Sequence, residues 1–197
     1  MNSNQVRFWG IVSAVKPRLT LTKFEGETTA KCHGHLLTLE GTRQTDGEAR
    51  PAPARFTLAI GPAVQEQRQI RSGDLLRGTA YPVPEGLPDT LADLYRVGTI
   101  RLVARAGDPG ISPAPPPDPP RTDGPLNADE AENAPRRPLN PENLSHEGDC
   151  VSCPYGVVVP VVRLSDPRNY RTGQWSHVPA CLGPEGCPHY RPLSPTA

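Results

Sequence analysis

The sequence predicts a mainly β protein, built as a small closed barrel, a disordered proline-rich linker and a small metal-stabilised module. Three observations carry this. Between Val6 and Arg105, short runs rich in β-branched and aromatic residues alternate with turn segments holding Gly, Pro and Asp. From Pro109 to Pro141, 11 of 33 residues are proline, so no helix or central strand runs through that stretch. Four of the five cysteines fall in the last 48 residues, as two close pairs. The expected domains are 1–105, a linker over 106–145, and a four-cysteine module over 146–197.

The first strand signal is Val6 to Val15, stopping at Pro17. Arg18 to Phe24 alternates with period two, and Glu25-Gly26-Glu27 supplies a turn. Thr28 to Leu39 extends again, with Leu37 and Leu39 on one face. Gly41 to Pro53 is polar and reads as a loop, and Phe56 to Ile60 as a short strand closed by Gly61-Pro62. Ala63 to Ile70, rich in Gln and Glu, suits one or two helical turns. Arg71-Ser72-Gly73-Asp74 turns into a strand over Leu75 to Tyr81, and Tyr95 to Arg105 is the last strand of this part.

Five or six strands in about 100 residues leave exposed edges unless the sheet closes, and a small barrel closes it. An SH3-like barrel or a sandwich would use the same strands. The order of three strands, short helix and two strands resembles the oligonucleotide/oligosaccharide-binding (OB) fold. The phrase Ile70-Arg71-Ser72-Gly73-Asp74-Leu75-Leu76-Arg77-Gly78 resembles the turn into the fourth strand of such barrels. The resemblance covers residues 5–105.

The net charge is zero but unevenly spread: +4 over 1–105, −5 over 106–148 and +1 over 149–197. A mildly basic N-terminal part permits a nucleic-acid partner without demanding one. The linker offers too little apolar surface to offset its ordering entropy and is expected to be partly polyproline II.

Cys150-x2-Cys153 and Cys181-x5-Cys187 are separated by 27 residues. Two close pairs set apart in this way present four sulfurs to one ion, and thiolates suit zinc or a [4Fe–4S] cluster. Between the pairs lies one apolar run, Gly156 to Leu164, beneath which Trp175 and Val178 can pack. Some 45 residues with one such run lack an adequate core, and a metal is the usual remedy. The module resembles a zinc ribbon, departing from its commonest form in the x5 spacing. Zinc on Cys150, Cys153, Cys181 and Cys187 is the expected cofactor, with the [4Fe–4S] cluster as the alternative. His146, His177 and His189 lie near these ligands as surface or supporting donors, and Cys32-His33-Gly34-His35 is a weaker cluster.

No Walker motif, dinucleotide fingerprint, nucleophile elbow or zinc-protease helix occurs, so catalysis is not expected. There is no run of about 18 apolar residues and no signal-peptide pattern at the N-terminus, which leads to an expectation of a cytoplasmic protein without a membrane partner. OB-like barrels bind single strands by stacking bases on aromatics over a basic groove. On this resemblance the expected function is binding single-stranded nucleic acid, as a component of a larger nucleoprotein complex. The candidate residues are Trp9, Lys16, Arg18, Lys23, Phe24, Lys31, Arg43 and Arg55, with Phe8 assigned to the core. The alternatives are a protein-interaction adaptor with a structural zinc site and an iron–sulfur protein. The sequence leaves the oligomeric state open.

Overall fold

Two strands of 19 residues, β1 (Val6–Phe24) and β2 (Glu27–Thr45), form a long hairpin at the start of the chain. The computed structural model describes residues 4–45, 47–48, 50–87, 91–109 and 155–183. The hairpin turns on two residues, Glu25 at φ 47° and Gly26 at φ 83°. Positive φ at both central positions matches the right-handed twist of the flanking strands, and glycine tolerates it without steric cost. Next come β3 (Ala52–Ile60), α1 (Pro62–Arg68), β4 (Leu75–Pro82) and β5 (Leu94–Ala104). After the undescribed segment come β6 (Gly156–Arg163) and β7 (Gln174–Cys181).

The protein is mainly β, with one short α-helix among the described residues. The strands β1, β2, β3, β5 and β4 pair in that order, and β4 pairs back to β1, closing a five-stranded barrel. Within the barrel only β3 and β5 run parallel, meeting at Leu58 and Leu94. This connectivity, with α1 between β3 and β4, is compatible with an OB-like barrel. At its seam the backbones come close: a β-carbon on Gly41 would overlap the Trp9 carbonyl, so this position needs a residue without one.

Alternation places the core. Val6, Phe8 and Val12 of β1 turn inward to meet Leu37, Leu39, Phe56, Leu58, Ile60, Leu76 and Leu94. Phe8 and Phe56 pack edge to face with centroids 6.2 Å apart. Each such side chain contributes about 1.5–3 kcal/mol on burial.

The turn phrase Arg71 to Asp74 is tied to β1 by backbone bonds. Val12 N–H donates to the Asp74 carbonyl at 2.9 Å and Gly73 N–H to the Val12 carbonyl at 2.7 Å. The helix starts with Pro62 at its first turn and ends on Gln69, left-handed, whose N–H donates to the Gln65 carbonyl.

Three strands run longer than the sequence suggests. β1 continues through Pro17, where a stop is expected. Pro17 falls between the ladder to β4 (Val6–Ile11) and the ladder to β6 (Leu21–Lys23), so neither needs its missing donor. β2 and β3 extend into the expected loop, pairing Gly41 with Ala54, Thr42 with Pro53 and Arg43 with Ala52.

The chain divides into two compact units. Among the described residues the first holds 4–18 and 33–109, and the second holds 19–32 and 155–183. By strand pattern alone residues 19–32 group with the barrel; in the structure they lie in the second unit. There β1 pairs in parallel with β6, Leu21 opposite Val161 and Lys23 opposite Arg163. β6 and β7 are antiparallel, with Trp175 opposite Val162 and Val178 opposite Val159. The core of this unit is Leu21 with Val157, Val159, Val161, Ala180 and Leu182. The Thr22 and Tyr170 hydroxyls meet at 2.9 Å. Residues 110–145 of the expected linker lie outside the described residues.

Candidate nucleic-acid interface

The period of two along β1 separates neighbouring aromatics. Phe8 is 4% exposed and Trp9 43%. Trp9 therefore stands on the outer wall of the barrel with its ring open to solvent. The register gives its neighbours: Trp9 is opposite Arg77 on β4, and Arg77 is opposite Arg101 on β5. Paired residues share a face, so these three form one outward row. The next outward row is Arg7, Thr79 and Thr99, in which the two threonine hydroxyls are 3.2 Å apart. Further along β4, Tyr81 is also exposed.

The other candidate residues of the first unit lie elsewhere on it. Lys16 and Arg18 are half-buried on β1, and Arg18 Nε is enclosed without a hydrogen-bond partner. Arg55 on β3 is opposite Glu40 on β2, with Nε 4.0 Å from Glu40 Oε1. Both are well exposed, and such pairs contribute little to stability. Asp93 adds a second carboxylate to this wall, accepting from the Thr57 backbone N–H at 2.7 Å and hydroxyl at 2.9 Å. Arg43 is exposed near the end of β2, beside the turn that holds Glu48. The Glu48 carboxyl is held below the usual glutamate range, first by the Thr45 backbone N–H (2.6 Å), then by the Thr45 side chain, with a smaller contribution from Arg43.

Lys23, Phe24 and Lys31 belong to the second unit, on the two arms of the hairpin near its turn. Lys23 and Phe24 are half-buried, and Lys31 is exposed. The Lys23 carbonyl accepts from Leu164 N–H at 2.9 Å.

Of the four cysteines expected to bind metal, Cys150, Cys153 and Cys187 lie outside the described residues. Cys181 ends β7, is buried, and faces Gly156 across the ladder. Its thiol donates to the Gly183 carbonyl at 3.5 Å. Among the described residues no three His, Cys, Asp or Glu side chains are placed to share an ion. No helix among them is long and apolar enough to cross a membrane. His146 and His189 also lie outside the described residues; His177 and Cys32 are exposed, and His33 and His35 are not.

Arg77 and Arg101 are absent from the sequence-based candidates. Their signal was present locally: each alternates with apolar or small residues in its strand, Leu76 and Gly78 around Arg77, Ile100 and Leu102 around Arg101. What places them beside Trp9 is the pairing of three strands distant in sequence. Comparison with protein-family models, curated proteins and solved structures finds no match for this chain.

Proposed function

We propose that this chain binds single-stranded nucleic acid, without catalysis, as a cytoplasmic component of a larger nucleoprotein assembly. The observation that carries the reading is the exposed Trp9 ring on the first strand of a closed, OB-like barrel. A base stacked on such a ring gains about 1–3 kcal/mol without sequence preference. Basic side chains on the same unit, Lys16, Arg18, Arg43 and Arg55 among them, supply attraction for phosphate. Lys23, Phe24 and Lys31 on the hairpin arms offer further binding surface.

The tail is proposed to bind zinc through Cys150, Cys153, Cys181 and Cys187. The register supports this set. Cys181 is opposite Gly156, and Cys153 precedes Gly156 by three residues, no more than roughly 11 Å of chain. Four thiolates would close the coordination sphere and give zinc a structural role. A tethered second module raises its own effective concentration on a strand already held by the barrel.

The test is fluorescence anisotropy of a labelled single-stranded oligonucleotide with the full chain, at about 50 and about 200 mM salt. Binding should weaken steeply with salt, and Trp9→Ala should weaken it roughly 5- to 150-fold while Trp9→Phe retains most of it. Absence of binding by the wild-type chain at low salt rejects the proposal.

A further inference from the structure

The barrel has two walls of different chemistry. On β2 and β3 the outward pairs are Thr38 with Thr57 and Glu40 with Arg55, and Asp93 caps Thr57. That wall shows no aromatic ring at these positions and carries two carboxylates. The wall built from β1, β4 and β5 differs. These three strands contain no Asp or Glu at all. Their outward rows are Trp9, Arg77, Arg101 and Arg7, Thr79, Thr99, with Tyr81 beyond.

Arg77 and Arg101 stand directly opposite each other on neighbouring strands. Like charges in that relation destabilise a sheet. A carboxylate between them would relieve the repulsion, but neither guanidinium forms an ion pair with a described residue. Strands in a sheet are about 4.8 Å apart, so the row from Trp9 to Arg101 spans about 10 Å. It offers one stacking face followed by two planar cations, each able to grip a phosphate through two N–H donors.

We infer that the outward wall of β1, β4 and β5 carries the single strand, with a base on Trp9 and phosphates on Arg77 and Arg101. This rests on the nucleic-acid reading above and adds the location. An acid-free arginine pair beside an open indole complements a polyanion that also presents flat apolar faces. It does not complement a second copy of the same wall, which would double the repulsion. The Thr79 and Thr99 hydroxyls extend the polar surface along the path.

The full chain with Arg77→Gln and Arg101→Gln combined is compared with the wild type and with an Arg43→Gln, Arg55→Gln pair. The probe is a labelled thymidine or uridine oligonucleotide of about 20 residues, longer than the roughly 4–16 nucleotides one barrel covers. The Arg77/Arg101 variant should bind at least about tenfold more weakly. Its log–log salt slope should be shallower by about 1.4, at about 0.7 for each single-strand phosphate that is no longer neutralised. Its melting temperature should be equal or higher, since a repulsion has been removed; a chain that merely unfolds would show a lower one. A wild type that binds, with an Arg77/Arg101 variant of equal affinity and slope, overturns the inference and leaves the nucleic-acid reading standing. So does a larger loss of affinity in the Arg43/Arg55 pair. A wild type that binds no oligonucleotide at low salt, or that binds only an acidic protein, overturns both.

Discussion

The Asp74 carboxylate and the Arg105 guanidinium meet at 2.9 Å, joining the turn before β4 to the residue after β5. Asp74 is 1% exposed and accepts from Arg71 N–H at 3.0 Å, Arg105 Nη1 at 2.9 Å and Ala106 N–H at 3.2 Å. Arg105 in turn donates to the Gln69 and Arg68 carbonyls at the end of α1. One ion pair therefore fastens helix, turn and last barrel strand.

Removing the two partners should have unequal effects. Asp74→Ala leaves backbone donors without an acceptor in a buried site, each costing about 1–3 kcal/mol. Arg105→Ala leaves the buried Asp74 carboxylate without its counter-charge and also frees the Arg68 and Gln69 carbonyls, so it should cost the larger amount, about 3–5 kcal/mol. Urea unfolding of the two variants checks this; equal midpoints would contradict it.

Leu21 lies on β1 yet is fully buried in the core of the second unit. Leu21→Ala should destabilise that unit by about 2–5 kcal/mol. Hydrogen exchange should show β6 and β7 amides losing protection while those of β3 and β5 keep theirs. Uniform loss, or none, would show that the arm is not part of that core.

The acid-side behaviour of Glu48 follows from its depressed pKa. A carboxylate stabilised in the folded state contributes above its unfolded pKa and loses that contribution as the pH falls through its folded one. The side-chain carboxyl, followed by NMR, should titrate below an unstructured glutamate. Thr45→Pro, which removes the N–H donor, should move it back up. A midpoint at the ordinary value would contradict the Thr45 hydrogen bond.

Elemental analysis of the purified full chain should find stoichiometric zinc, and Cys181→Ser should reduce it. Prolonged chelation should expose β6 and β7 to exchange, since metal binding and folding are linked in small thiolate sites. A brown protein containing iron would replace zinc by the cluster. A chain with neither metal and undiminished protection would refute the four-sulfur site.

Much of the local β structure was legible because strand signals are local. The split between Phe8 and Trp9, the turn at Glu25-Gly26 and the short helix after Gly61-Pro62 all follow from neighbouring residues and their steric preferences. Pro17 misled because a proline stops a strand only where a partner needs its N–H, and the partner is set by the fold.

By itself, then, the sequence determined which residues extend, which face of each strand is apolar and where the chain turns, because each depends on a few adjacent side chains. Tertiary structure alone decided that residues 19–32 leave the barrel's unit, since Leu19 and Leu21 bury their apolar surface against valines far along the chain. It alone decided that Trp9, Arg77 and Arg101 share one row, because strand register is settled by long-range pairing that no local pattern encodes.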